Sequence, residues 1–153
     1  MLLLLRVGRR ATDWASGDLD KVINGEFLMR GLVELQASVY QIEETDLVRA
    51  VAEHGASNKL GMRGFANIDL SSDRAFVEAP GDSMFEFTRV AHRELHFADE
   101  DDLRTFLRTQ ILPAIDRRRH VVPRAKIKEY VASRLTSRDA EWLAYVEAHG
   151  QYP

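Results

Sequence analysis

The chain of 153 residues contains no cysteine. That excludes disulfides, thiolate metal sites and a cysteine nucleophile, and it suits a reducing compartment. Long apolar runs are also missing. The first ten residues, MLLLLRVGRR, hold only four consecutive leucines before Arg6. A bilayer span needs roughly 20 apolar residues. A signal peptide needs a basic start and an apolar core of about 7–15 residues. Leu2 to Val7 is therefore read as a short buried strand or helix turn, and the protein as cytoplasmic, with no membrane contact. No Pro/Gly/Ser-rich linker, internal repeat or low-complexity tract divides the chain. One domain over residues 1–153 follows, with a mixed sheet and helix part over 1–98 and a helical part over 99–150.

Several signatures of chemistry are absent as well. There is no G-x-x-x-x-G-K-[ST] loop, no G-x-G-x-x-G fingerprint and no G-x-S-x-G elbow. No Asp or Glu stands two residues before a Lys, which removes the carboxylate–lysine spacing of many nucleases. No cofactor is expected. Carboxylates such as Asp13, Asp18, Asp20, Glu43, Glu44 and Asp69 have the chemistry to hold Mg²⁺, but solvated surface is the default place for acidic residues.

What is present points to an α+β fold, with a small, mostly antiparallel sheet packed with helices and a helical C-terminal third. Strands are predicted near 32–42, 65–70, 75–79 and 84–97. In the first, Val33, Leu35, Ala37 and Val39 alternate onto one face. Asp18 is placed to cap a short helix that Gly25 ends. A second helix follows Thr45, with Leu47, Val48 and Val51 buried and Gly55 as its stop. Asp99 to Asp102 suit a helix N-terminus. Pro113 kinks or restarts that helix. Pro123 opens the next one, and Thr136 or Ser137 caps the last, which Trp142, Leu143 and Val146 anchor. The segment 84–97 carries two patterns. Phe, Thr and Val with clean alternation favour a strand, whereas Ser83 and Glu86 form the S-x-x-E box of a helix start.

Two short motifs resemble known sites over a few residues only. Gly81-Asp82-Ser83 is similar to the nucleophile block of GDSL-type hydrolases, without its setting or its later histidine, and reads as a turn after Pro80. Gly61 to Gly64 has the G-x-x-G spacing of the RNA-clamping KH loop without the helix that loop requires, and reads as a flexible turn.

The stretch HRELH, residues 92–96, is the strongest catalytic candidate. The protease motif H-E-x-x-H places its Glu beside the first His on a helix, and Glu94 falls on the wrong side for that. On a strand, His92, Glu94 and His96 share one face. A catalytic zinc takes three protein ligands plus water, and His54 is a further candidate. The ordinary reading of this row is a solvated strand face.

Charge supplies the clearest signal. Residues 1–98 carry 11 Lys/Arg against 15 Asp/Glu, whereas residues 103–138 carry ten against two. Arg117, Arg118, Arg119, Arg124, Lys126 and Lys128 fall within twelve residues. Cations completing a helix C-terminus account for two or three of them. The rest are expected to meet something anionic, either an acidic protein surface or a nucleic acid backbone. The acidic part of another copy of this chain qualifies too, which would make a homo-oligomer. The last helix, with Glu141 and Glu147, is ill suited to a major groove. The sequence thus predicts a non-catalytic binding or accessory protein. Its alternative is a small metal-dependent or His-dependent hydrolase or nuclease using His92, Glu94 and His96.

Overall fold

The N-terminal leucine run lies in the middle of a sheet. In the computed structural model the described residues are 2–6, 16–58, 65–68, 76–78, 81, 83–113, 119–120 and 122–151. Strand β1 (Leu2–Arg6) pairs antiparallel with β4 (Gln36–Ile42) on one side and β5 (Phe65–Ile68) on the other. Beyond β4 lie β7 (His92–His96) and then β6 (Phe76–Glu78). Beyond β5 lies β8 (Arg119–His120). The order is β6-β7-β4-β1-β5-β8, and every pairing is antiparallel. A separate hairpin joins β2 (Leu28–Met29) to β3 (Leu32–Val33).

Side-chain alternation on β4 gives the sheet two buried faces. Ala37 and Val39 point to one side, together with Leu95 of β7. Tyr40 and Ile42 point to the other. The first face is covered by α1 (Leu19–Val22) with the π-helical turn Ile23–Phe27, and by α4 (Glu100–Phe106) with the π-helical turn Leu107–Ile111. The second is covered by α2 (Leu47–Asn58), α3 (Glu86–Ala91), α5 (Arg124–Thr136) and α6 (Ala140–His149). The fold is α+β, as the pattern of elements predicts.

The caps explain where these helices begin. Asp18 accepts from the backbone N–H groups of Asp20 and Lys21. Asp99 accepts from the N–H of Asp102, whose own carboxylate accepts from the N–H of Ala98. This reciprocal pair satisfies two donors that would otherwise lack partners. For α6 the cap is Asp139, which accepts from Glu141 and Trp142, rather than Thr136 or Ser137. Thr136 belongs to the preceding helix, and the turn between the two passes through Arg138 at φ 60.

Several expected stops are read through. Gly25 lies inside the π-helical turn, and the left-handed residues are Arg30 and Gly31 at the hairpin tip. Both central residues have positive φ, the signature of a two-residue I′ turn. Arg at the first of them costs roughly 1–2 kcal/mol relative to glycine. Gly55 is buried within α2, which runs on to Asn58. Tight packing of a nearly encircled helix outweighs the loss of helix propensity there. Ahead of Pro113 the helix widens, with the N–H of Leu112 bonded to the carbonyl of Leu107, and residues 114–118, where the kink or restart is expected, lie outside the described residues. Segment 84–97 divides: residues 86–91 are helical and only 92–96 are strand. The predicted strand is thus corrected over its first half. Phe85, Thr88 and Ala91 are all buried, a spacing of three that belongs to a helix.

Candidate functional site

The imidazole–carboxylate row sits where strand geometry requires. His92, Glu94 and His96 of β7 lie opposite Tyr40, Ser38 and Gln36 of β4. They therefore share the face on which Tyr40 lies. The row does not converge. His96 Nε2 lies 3.2 Å from Glu94 Oε2 at an exposed site. His92 turns instead toward Tyr40, their ring centroids 5.6 Å apart and edge-on. Tyr40 also bonds His54 Nδ1 through its hydroxyl at 2.5 Å, so its ring stands between two imidazoles. Gly81 packs against His92 closely enough that a Cβ there would lie 3.2 Å from His92 Cβ. Among the described residues no group of three or more His, Asp or Glu is placed to hold a metal ion.

The other acidic candidates are dispersed. Asp18 caps α1, and Asp20 pairs with Arg104 at 2.9 Å. Asp13 and Asp69 lie outside the described residues, as do the G-x-x-G turn and Asp82. Ser83 bonds Thr88 Oγ1 at 2.8 Å and accepts from the N–H of Phe85 at 3.1 Å, which makes it part of the entry to α3.

The basic segment is divided among elements. Arg117 and Arg118 lie outside the described residues. Arg119 is not the end of a helix: its backbone forms β8, opposite Ala66 of β5. This corrects its expected place at a helix C-terminus, because edge pairing with β5 takes up the backbone there. Arg124, Lys126 and Lys128 belong to α5 and are exposed. None of the three forms an ion pair with a described carboxylate. The first turn of α5 holds no acidic residue, and its N-cap Pro123 offers no side-chain hydrogen bond. Cations there oppose the helix dipole, so the fold itself gains nothing from them. Arg124 and Lys128 are four apart and share a face. Lys126 lies about 160° round from Lys128. The buried stripe of Ile127 and Val131 runs between these two flanks. The charges therefore surround the start of the helix and do not line one side of it.

A polar group inside the second layer escaped the sequence reading. Glu53 of α2 is 1% exposed. Its carboxylate takes a hydrogen bond from Arg49 Nε at 2.9 Å. Burial raises its pKa above the ordinary glutamate value, more than the Arg49 bond lowers it. Arg49 also stacks over the Phe87 ring, 4.2 Å from its centroid. Nearby, burial and the charge of Glu53 raise the pKa of Tyr130, whose ring stands edge-on to Trp142 with centroids 6.3 Å apart. Glu141 ties α6 to α3 within this layer by accepting from the N–H of Glu86 at 2.7 Å. One signal of this cluster was visible in the chain. Arg49 and Glu53 stand four apart in a helix whose other residues are mainly Val, Ala and Gly, too small and apolar to leave a wide wet face. Glu53 is thus closed off from solvent among the helices of the second face.

No family model, curated protein or solved structure matches the chain. Among the described residues no helix is long and apolar enough to cross a membrane.

Proposed function

We propose that the protein is a non-catalytic binding or accessory protein of the cytoplasm. It docks an anionic partner, an acidic protein surface or a nucleic acid backbone, through Arg117, Arg118, Arg119, Arg124, Lys126 and Lys128. The observation that carries this reading is the set of exposed cations at the start of α5. They have no carboxylate partner among the described residues and sit where the helix dipole disfavours them. Their placement around the helix start favours end-on docking. An anionic group would approach along the helix axis, with Arg124 and Lys128 on one flank and Lys126 on the other. Electrostatic steering sets the encounter rate, and binding weakens as salt rises.

The test is capture from the native host at low and high salt, followed by anisotropy titration with a labelled oligoglutamate peptide and a labelled DNA duplex. A variant with Arg124, Lys126 and Lys128 all changed to Glu is expected to lose capture and titration alike. Loss of phosphate contacts would reduce the salt slope by about one per contact. The pair His92→Ala and His96→Ala is expected to bind as the native chain does. Unchanged binding in the charge-reversed variant would overturn the proposal. Hydrolysis of a substrate panel that is lost only with His92 and His96 would replace it with the enzyme reading.

A further inference from the structure

The β2–β3 hairpin is built as a projection. Among the described residues its two strands pair only with each other and lie outside the six-stranded sheet. Leu28 is opposite Val33, and Met29 is opposite Leu32. Directly opposed residues share a face. Val33 packs against the core below, so its face is the inner one. Met29 and Leu32 therefore point outward together, 59% and 75% exposed. Single exposed apolar side chains are common on protein surfaces, but an opposed pair at a hairpin tip is a patch. The turn that carries it is strained. Arg30 takes φ 52 where glycine, asparagine or aspartate would rest easily. Strain retained at one exposed position points to a role for that side chain.

The charges on the hairpin are polarised. Arg30 stands at the tip and has no ion pair with a described carboxylate. Glu26 and Glu34 stand at the base, where Glu34 also accepts a hydrogen bond from Gln36 at 3.1 Å. The tip is positive, the middle apolar and the base negative. Such a surface is complementary to itself when turned end for end.

We propose that this hairpin is a self-association surface whose occupant is the hairpin of a second copy of the chain. A two-fold axis passes through the facing Met29 and Leu32 pairs. Each Arg30 then meets Glu34 of the other copy, and the contact closes as a dimer because both copies use the same patch. The contact is smaller than the roughly 800 Å² per partner of a standard interface, so the dimer is weak, with Kd on the order of 0.1–1 mM. This inference does not depend on the basic segment of α5.

Sedimentation equilibrium of the full chain, from about 10 μM to about 1 mM, reads the association directly. The native chain is expected to shift from monomer to dimer over that range. Leu32→Asp, at an exposed site, is expected to weaken the dimer at least about tenfold while the circular dichroism spectrum stays unchanged. Arg30→Glu alone and Glu34→Arg alone each set like charges together and are expected to stay monomeric. An equimolar mixture of those two variants restores both cross-pairs and is expected to associate. A native chain that remains monomeric throughout overturns the proposal, as does a dimer that Leu32→Asp leaves intact. Failure of the mixed variants to associate overturns the two-fold pairing. Leu32-dependent binding to phosphatidylcholine–phosphatidylserine vesicles by a monomeric chain would reassign the hairpin to a lipid surface.

Discussion

The two faces of the sheet are closed by different means. On the first, α1 and α4 with their π-helical turns bury Val22, Ile23, Phe27, Leu103, Phe106, Leu107 and Ile111 against β4 and β7, with no polar side chain among the described buried residues. On the second, α2, α3, α5 and α6 enclose Glu53 and Thr88 together with Trp142 and Tyr145. Among the described residues the first layer is filled by apolar side chains. The π-helical turns belong to it, and each buries residues four apart, Ile23 with Phe27 and Leu107 with Ile111. The second layer must bring four helices to one place, and it encloses polar side chains as it does so. Glu53 takes a hydrogen bond from Arg49 of its own helix, and Thr88 bonds Ser83 at the entry to α3. Between helices, Glu141 of α6 accepts from the N–H of Glu86 of α3. A misplaced helix that left a buried polar group unsatisfied would cost about 1–3 kcal/mol.

Deletion in the two layers gives the largest effect. Trp142→Ala is expected to cost about 3–5 kcal/mol, and Leu107→Ala about 2–5 kcal/mol, in urea unfolding. The comparison sharpens if loss of Trp142 also broadens the near-ultraviolet dichroism while loss of Leu107 does not. Next comes Arg49→Met, which removes the charged partner of Glu53 but keeps most of the bulk over Phe87. About 1–3 kcal/mol is expected, since Arg49 itself is partly solvated. The double variant Arg49→Met with Glu53→Leu is expected to recover that loss. A double variant no more stable than Arg49→Met would break the comparison.

The pH dependence of Glu53 has a definite sign. A carboxyl whose pKa is raised on folding binds more protons in the folded state between its unfolded and folded values. Stability from this group is full below the ordinary glutamate pKa, near 4.5, and falls as pH rises through the raised value. Glu53→Gln is therefore expected to gain stability relative to the native chain as pH rises from that point toward neutral. Urea midpoints measured across this range check it, and a difference that shrinks with rising pH would refute the assignment. The smallest effect belongs to the outside of the apolar layer. Arg104 joins Asp20 of α1 and Glu100 of α4, and Asp20 is largely exposed. Asp20→Ala is expected to cost about 0.5 kcal/mol or less, and to cost nothing at high salt.

Much of this was legible from the residues. The alternation that includes Ala37 and Val39 identified a core-facing strand, although its first part is split off: Val33 belongs to the β2–β3 hairpin and Leu35 lies between the two strands. The acidic run at Asp99 identified a helix start. Where the reading failed, longer-range contacts decided. Phe85, Thr88 and Ala91 have helical spacing, but Phe, Thr and Val are also good strand residues, and local preference could not separate the two. The division comes at His92, where pairing with Tyr40 of β4 begins. Gly55 signals a stop only if its helix has a wet side, and α2 is packed on too many sides for that. For the candidate site, the charge of α5 was readable in one dimension, but its distribution around a helix end depends on where burial places Ile127 and Val131. Glu53 was hidden because a glutamate in a helix is ordinarily surface.

The central position of β1 has a consequence for how the chain is made. Its hydrogen-bonding partners, β4 and β5, lie some thirty and sixty residues downstream. During synthesis β1 must therefore wait, apolar and unpaired, for strands not yet made. Such long-range closure slows folding and leaves a sticky strand exposed on the growing chain. A sheet assembled around a strand made well before its partners invites chaperone capture during translation.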